Sequence, residues 1–391
     1  MDERKGLLRE LLSKKPADVA EALAELSRGQ AAEVIHRLFL RGTAVDTLAE
    51  MDPDESAGVV EKLDRHEAST ILSRMSPDDA VDLLDELPDE VQQELLSRLS
   101  REDAQVLTSL LAYPADTAGG LMSPEVVPLS LSMTAQEAID FLRQSQERAE
   151  TVYYAYAVDD AQRLLGVLSL RDIALASPNR SLRELVRDAV SVPVDADAEA
   201  VARLFDKYDY FALPVVDAEH RLLGVITVDD VIDVMRDKAT EDIYGPASVP
   251  TEEGLDTSWW SSFRLRLPWL YVRLATALAA AFVAGLFEET IVRVAALAVA
   301  MGVVAGQGGS AGMQTVTIIT RGMALGELDP RKGWGLLAKE VALAVVNGGL
   351  IGATVGAITY LWKGELLLGV VVCVAMLRNL ILGAIGGVLI P

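Results

Sequence analysis

The chain has 391 residues, a formal net charge of -23 and a positive mean hydropathy of +0.26. Residues 1–260 carry 52 acidic and 25 basic side chains, whereas residues 261–391 carry 6 and 10, so acidic and apolar parts are segregated. This excludes a single globular domain and a disordered acidic protein, and the negative charge excludes nucleic-acid binding because it repels phosphate backbones. One cysteine, Cys373, excludes a disulfide framework and a thiolate zinc site, and three scattered histidines do not indicate a histidine metal site.

The N-terminal part is predicted to be a cytosolic solenoid of short helices. It lacks the apolar core of a secretion signal. Apolar residues recur every 12 positions, and a polar residue or proline that suits a helix start follows each of the first five. The apolar series is Met51, Leu63, Met75, Leu87, Leu99 and Leu111, and the helix starts are Asp52, Asp64, Ser76, Pro88 and Ser100. Helices this short are stable only when stacked, which predicts a solenoid with acids outside.

A second repeat, with a period of 58 residues, predicts a tandem α/β module. The stretch Arg163–Asp172 recurs as Arg221–Asp230, and each copy contains Gly-Val, a hydrophobic residue, Ser or Thr, and an Asp three positions later. Each copy is predicted to run helix, strand, turn, strand, helix, with the leading helices at Ala135–Gln146 and Ala198–Tyr208.

The last third of the chain is predicted to cross a membrane with four helices. Each of four apolar stretches is long enough for a bilayer, which needs about 20 residues. They are Trp269–Phe287, Ile291–Thr320, Leu336–Trp362 and Leu366–Ile390. Basic residues before the first span and between the second and third place these ends in the cytosol. They are Arg264, Arg266, Arg321, Arg331 and Lys332.

The second span carries a polar, glycine-rich segment from Gly306 to Thr315. Glycines permit unwinding of a helix, and exposed carbonyls with Gln and Ser oxygens suit a hydrated cation. We therefore predict that this segment lines an ion pathway, with Gly308, Gly309, Ser310, Gly312 and Gln314 as the lining residues. The glycines of the third and fourth spans are explained by close helix packing.

Two resemblances follow from these motifs. The repeated α/β module resembles a pair of cystathionine-β-synthase (CBS) domains, and the whole order of segments resembles the MgtE family of magnesium channels. Matching segments include Tyr113–Met122, Leu213–Asp217, Ala239–Ile243 and Gly308–Gly312. The resemblance implies a multidomain fold: an all-α solenoid (1–120), a CBS pair (121–236), a linker or gating helix (237–267) and a four-helix transmembrane bundle (268–391). It also implies a homodimer in the bacterial inner or plasma membrane.

The resemblance implies that Mg2+ binds acidic residues of the cytosolic part and thereby closes the pore. The matching acids are Asp78 and Asp82 in the solenoid, Asp197, Glu199, Asp209, Asp230 and Asp233 in the second CBS copy, and Glu241 and Asp242 in the linker. Mg2+ prefers oxygen ligands and keeps several waters, so clustered carboxylates suffice. For each single acid a solvated surface role is the alternative.

The resemblance to CBS pairs further implies binding of an adenine nucleotide such as ATP. The matching residues are Ser169, Asp172, Thr227 and Asp230, whose oxygens would bond ribose hydroxyls. Alternatively, Thr227 and Asp230 only cap the following helix.

The sequence departs from the family at several positions. Ser310 and Met313 stand where the family has asparagines, and Lys238 stands where it tends to have Glu. The sequence ends at Pro391, before the family's fifth helix, which carries an ion-binding aspartate. Three explanations are compatible with this ending: the sequence is truncated, the protein conducts by a different mechanism, or it conducts only together with a partner. The sequence contains no recognisable enzyme motif. The leading hypothesis, which follows from the resemblance, is a Mg2+ channel. The alternatives are a sensing subunit without a pore and a transporter of Co2+ or Mn2+.

Overall fold

The computed structural model describes residues 11, 13–145, 153–247, 249–251, 253–254, 257–324 and 333–389. Arg331, Lys332 and the predicted helix ends at Gln146 and Ile390 lie outside these residues. The chain divides into two compact units, Met1–Val234 and Met235–Pro391, which are described separately.

The first unit begins with the predicted helical repeat. Its helices are α1 (Pro16–Ala24), α2 (Arg28–Phe39), α3 (Ala44–Ala49), α4 (Pro53–Val60), α5 (Arg65–Leu72), α6 (Pro77–Asp85), α7 (Asp89–Arg98) and α8 (Arg101–Leu110). The predicted starts Asp52, Asp64, Ser76, Pro88 and Ser100 are the residues that precede α4 to α8. Asp64 accepts a hydrogen bond from the amide of His66 at 2.9 Å, which satisfies a free donor at the start of α5.

The CBS pair forms two small sheets. The first copy contains β1 (Pro128–Ser130), α9 (Ala135–Gln144), β2 (Tyr154–Val158), β3 (Leu164–Ser169) and α10 (Leu170–Leu175). The second contains β4 (Val192–Pro193), α11 (Ala198–Tyr208), β5 (Ala212–Val216), β6 (Leu222–Thr227) and α12 (Val228–Ala247). In each sheet the first strand pairs parallel to the second, and the second pairs antiparallel to the third. The predicted order is confirmed, but the first strands of both sheets were missed because they are only 3 and 2 residues long.

One hydrophobic core joins the solenoid to the second CBS copy. It runs from Leu83 and Leu84 in α6 to Phe205, Leu213 and Val231. The segment between the two domains also pairs with this copy, since Ser123 and Val225 exchange backbone hydrogen bonds at 2.8 Å. The recurring glycine of the second copy is needed here, because a Cβ at Gly224 would lie 2.5 Å from the carbonyl oxygen of Ser123. Residues of α6 and of the second CBS copy therefore belong to one continuous core in this structure.

In the second unit, four of the described helices are long and apolar enough to span a membrane. They are α13 (Trp259–Gly285), α15 (Ala296–Ala324), α16 (Gly333–Lys363) and α17 (Leu366–Leu389); the short α14 (Glu288–Arg293) precedes α15. Helix α17 packs on both α15 and α16. Glycines make these contacts close, as predicted for the third and fourth spans: a Cβ at Gly352 would meet the carbonyl of Cys373, and Gly356 faces Gly369.

Candidate functional sites

The fold brings acids from the solenoid and from the second CBS copy together. Asp78 and Asp79 lie in the first turn of α6, and Asp229, Asp230 and Asp233 lie at the start of α12. The hydrophobic core that α6 shares with the second copy holds these two helix starts close to each other. Of the predicted sensor residues, Asp78, Asp230 and Asp233 are among the acids of this group. We call these five aspartates the α6–α12 acid cluster.

The electrostatics of Asp230 are unfavourable for its charged form. Burial and the neighbouring charge of Asp78 raise the pKa of Asp230 to about 8, although its carboxylate accepts hydrogen bonds from the amide of Thr227 at 3.2 Å and its hydroxyl at 2.8 Å. Asp78 itself is only 5% exposed. A cation between these side chains would therefore relieve a repulsion that the fold imposes.

Asp79, which the sequence analysis did not select, belongs to the same cluster. Burial raises its pKa, and the charges of Asp229, Glu50 and Asp233 add to this effect, while a hydrogen bond from Ser76 opposes it. The missed signal was the helix position: Asp78 and Asp79 both fall in the first turn after Ser76.

The pKa of Asp82 is raised by the crowding of the chain around it, by acids of its own helix, α6, and by Glu86, the residue that follows the helix. Crowding by the surrounding chain, together with Asp79, Asp85 and Glu86, raises the pKa of Asp82 to about 6, although the side chain keeps contact with solvent. The described charges that act on Asp82 thus lie on the solenoid side.

The cluster fits a hydrated ion better than a closed metal cage. Within the described ranges, no three His, Cys, Asp or Glu side chains are arranged to hold a metal ion. Mg2+, however, dehydrates reluctantly and is commonly held by one or two carboxylates with waters. The pairing of Asp78 with Asp230 meets that requirement.

The other predicted sensor acids of the second CBS copy have local contacts at the two ends of α11. Asp197 caps the helix by accepting from the amides of Glu199 at 2.9 Å and Ala200 at 3.4 Å, and Glu199 pairs with Arg203 at 3.5 Å. Asp209 ends the helix with a left-handed backbone, φ 53°.

The linker acids lie in the second unit. Glu241 forms an ion pair with Lys238 at 2.9 Å, and Asp242 is half-buried on the same helix. Lys238, noted as a departure from the family, thus neutralises its neighbouring acid.

The predicted nucleotide residues differ between the two CBS copies. Thr227 is 2% exposed and its hydroxyl donates to Asp230, which favours the capping interpretation for this pair. Asp172 is more open and forms an ion pair with Arg187 at 2.6 Å, and Ser169 ends β3 beside it.

An exposed aromatic pair accompanies these residues and was missed from sequence. Tyr153 and Phe211 are 64% and 54% exposed, and their rings stack with centroids 5.5 Å apart. The carbonyl of Tyr153 accepts from the amide of Leu170, and that of Phe211 from Val228, so each ring starts a strand beside a predicted ribose-binding turn. The matching positions in the two copies were the available signal.

Helix α15 is continuous through the predicted pathway segment, so the structure does not show the unwinding that its glycines permit. Among the described residues, its i to i−4 bonding persists from Ala296 to Ala324 because close packing on α17 offsets the low helix propensity of glycine. A Cβ at Gly308 would overlap the amide of Asn379, and one at Gly312 would lie 3.3 Å from the carbonyl of Gly383.

The five predicted pore-lining residues therefore divide between two faces. Gly308 and Gly312 lie on the face that packs on α17. Gly309, Ser310 and Gln314 are exposed on the other side of the helix, together with Met313.

The sequence analysis did not select three polar residues of the apolar helices that the structure places in notable positions. Asn379 donates to the carbonyl of Val304 at 2.5 Å and so fixes α17 against α15. Arg378 is exposed in the middle of α17. Glu340 is 6% exposed and accepts from the hydroxyl of Thr315 at 3.3 Å. Charges at this depth are costly, about 2.5–3.5 kcal/mol on insertion scales, and so mark functional positions.

Comparisons with known proteins match the three segments in order. The family described as the MgtE intracellular N domain matches residues 14–116, CBS domains match residues 118–179 and 182–237, and the family described as divalent cation transporter matches residues 301–391. "Magnesium transporter MgtE" of Thermus thermophilus is 38% identical over 72% of this chain, and that of Bacillus subtilis 34% over 72%. Each alignment covers 63% of the relative.

A solved structure agrees with the first unit. The cytosolic domain of the Mg2+ channel MgtE in complex with ATP is 38% identical, with a TM-score of 0.55, over 59% of this chain and 94% of the solved one. An acidic helical domain, a CBS pair and long apolar helices together define a class of multidomain membrane proteins. The chain belongs to the MgtE family of that class.

Proposed function

We propose that the chain moves Mg2+ into the cell down its electrochemical gradient and that Mg2+ bound at the α6–α12 acid cluster closes the pathway. The observation that carries this proposal is the approach of Asp78 and Asp230, on two different domains; burial and this approach make the charged form of Asp230 costly and raise its pKa. The two carboxylates are therefore charged together only when a cation lies between them. Because relatives sharing 34–38% identity are named magnesium transporters, Mg2+ is the cation we favour.

The driving force needs no hydrolytic step. With the N-terminal domains in the cytosol, a divalent ion entering a cell gains about 4.6 kcal/mol per 100 mV of membrane potential, since each charge contributes about 2.3. The exposed face of α15 with Gly309, Ser310 and Gln314 would line the path, at the interface of two copies in a homodimer. The linker, residues 237–267, would transmit closure.

Flux measurements test this function. Proteoliposomes containing the chain should take up Mg2+, and millimolar Mg2+ on the side of the acidic domain should reduce uptake. Asp78→Asn with Asp230→Asn should make uptake insensitive to that Mg2+, whereas Asp160→Asn, an exposed acid outside the cluster, should not. Absence of Mg2+ uptake together with uptake of Co2+ or Mn2+ would contradict the assignment of the ion.

We further propose that the first CBS copy binds an adenine nucleotide. A solved relative contains ATP. In this chain the adenine would stack on Tyr153 or Phe211, and Ser169 and Asp172 would bond the ribose. Thr227 and Asp230 would act mainly as the cap of α12.

A second candidate function is a sensing subunit without its own pore. Arg378 favours it, because its neighbour Asn379 contacts the carbonyl of Val304 and thus places a positive charge near the depth of the predicted path. Normal Mg2+ sensing by the soluble part with no flux from the full chain would support this candidate.

A further inference from the structure

The first turns of α13 extend beyond the hydrocarbon layer of a membrane. The helix runs from Trp259 to Gly285, and the charged Glu288 begins the next helix, α14. The hydrocarbon layer is about 30 Å thick and needs about 20 helical residues. Counted back from Glu288, such a stretch begins near Pro268, so residues 259–267 lie in the headgroup region at the membrane surface. Tryptophan side chains are typical of that region.

One face of this beginning of α13 is covered by the chain itself. Glu253, in the segment before the helix, is buried and accepts a hydrogen bond from Arg266 at 2.5 Å. The charge of Arg266 is therefore neutralised within the protein. Because an α-helix has 3.6 residues per turn, Arg264, two positions earlier, lies about 200° around the helix from Arg266. The segment with Glu253 thus leaves the face that carries Arg264 uncovered.

The uncovered face presents two aromatic rings and this arginine. Trp260, Phe263 and Arg264 are spaced so that they are neighbours on the helix surface. The rings of Trp260 and Phe263, 48% and 46% exposed, stack with centroids 5.4 Å apart, and the guanidinium carbon of Arg264 lies 5.3 Å from the centre of the Trp260 ring. Across the residues that the structure describes, Arg264 takes part in no ion pair. The ring therefore positions a positive charge that these residues leave without a counter-charge.

We propose that Trp260, Phe263 and Arg264 form a binding site for the headgroup of an anionic phospholipid of the bilayer. The planar guanidinium donates paired hydrogen bonds to the phosphate oxygens, and the two rings contact the glycerol and the upper acyl carbons. A zwitterionic headgroup adds a positive group next to the same phosphate, which Arg264 repels, so the site favours a net negative lipid. The bilayer supplies the ligand because this face continues directly into the apolar part of α13.

Photocross-linking of the full chain in lipid vesicles tests the site. The photoreactive residue p-benzoylphenylalanine replaces Trp259, which is 76% exposed beside the site, or in a control Leu286, 67% exposed at the other end of α13. The vesicles contain equal amounts of phosphatidylglycerol and phosphatidylcholine, and the lipid adducts are quantified by mass spectrometry. At position 259 we expect phosphatidylglycerol adducts to exceed phosphatidylcholine adducts about fivefold, the preference that one basic residue at an anionic surface gives. At position 286 we expect equal amounts.

Two arginines of the same helix provide matched variants. Arg264→Gln should abolish the preference at position 259, whereas Arg266→Gln should preserve it, because the guanidinium of Arg266 is bound to Glu253. Arg264→Lys keeps the charge and should keep the preference. If Arg264→Lys loses the preference as completely as Arg264→Gln, Arg264 has a structural role and the proposal is wrong.

Three further results would overturn the proposal. The first is equal adducts of the two lipids at position 259 with Arg264 intact. The second is an equal loss of preference in Arg264→Gln and Arg266→Gln, which indicates diffuse surface charge instead of a site. The third is loss of the preference in millimolar inorganic phosphate but not in chloride at the same ionic strength, because the site then binds the free ion instead of a lipid. We expect the preference to persist in both buffers.

Discussion

Asp230 is a residue at which the helical domain acts on the second CBS copy, through the charge of Asp78. Its folded-state pKa of about 8 is above that of an unfolded aspartate. The protonated form is therefore favoured by folding, and the stability it contributes is present at acid pH and lost as the pH rises toward about 8. Asp82, with a pKa of about 6, acts in the same direction at lower pH.

This predicts a pH-dependent loosening of α6 in the absence of divalent ions. In EDTA, the protection of the peptide containing Pro77–Asp85 against hydrogen exchange, relative to the intrinsic exchange rate at each pH, should fall between pH 5 and pH 8. Asp230→Asn should flatten this dependence because it removes the charge but keeps an oxygen for Thr227, whereas Asp160→Asn should leave it intact. A pH dependence that Asp230→Asn does not change would contradict the electrostatic origin.

Gly308 and Gly309, two neighbouring glycines of α15, allow a matched pair of alanine substitutions. A Cβ at Gly308 meets Asn379, whereas a Cβ at Gly309 meets nothing within 4 Å. Gly308→Ala should destabilise the packing of α17 on α15 by about 1–3 kcal/mol, the range of overpacking effects. Gly309→Ala should preserve thermal stability in detergent and change Mg2+ flux instead. Equal stability of the two variants would contradict the packing role of Gly308.

At the scale of elements, the aromatic pair and the α12 cap can be separated. Tyr153→Ala and Phe211→Ala should weaken ATP binding about tenfold or more, because stacking on a base is worth about 1–3 kcal/mol. Thr227→Ala should instead destabilise the start of α12 by about 1 kcal/mol with little effect on ATP affinity. Calorimetric titration and hydrogen exchange of α12 measure the two effects. A larger loss of affinity in Thr227→Ala than in Tyr153→Ala would restore the ribose role of Thr227.

The elements that could be predicted from sequence are those with a local signal. The starts of α4 to α8 follow from residues such as Asp64 and Ser100, which cap helices with their own side chains. The long apolar helices follow from composition. Strand β4 could not be predicted, because its two residues form a strand only through pairing with Val215 and Val216.

The site residues divide in the same way, into those with a signal in the sequence and those that depend on the folded arrangement. Asp78 and Asp230 were selected through the family resemblance, but Asp79 and the Tyr153–Phe211 pair depend on which surfaces the folded chain brings together. The continuity of α15 could not be predicted from its glycines for the same reason, since glycines permit unwinding and the close approach of α17 is known only from the fold.

At the scale of the whole molecule, segregation of charge has one consequence for mechanism. The acidic domains concentrate repulsion in the α6–α12 acid cluster, and in the proposed function the apolar helices would contain the transport path. Mg2+ binding would be favoured only in the arrangement that brings both helices together, so Mg2+ would shift the population toward that arrangement. Occupancy of the cluster would thus report the cytosolic Mg2+ level to the linker.

A distance measurement between the solenoid and the CBS pair tests this account most directly. Spin labels are placed on Leu40→Cys and Leu175→Cys, both more than 70% exposed, in a Cys373→Ser background. Pulsed dipolar spectroscopy during a Mg2+ titration should show a broad, longer distance distribution in EDTA that becomes narrow and shorter at millimolar Mg2+. Asp78→Asn with Asp230→Asn should make the distribution independent of Mg2+. An identical distribution with and without Mg2+ in the unmodified acid cluster would contradict the account.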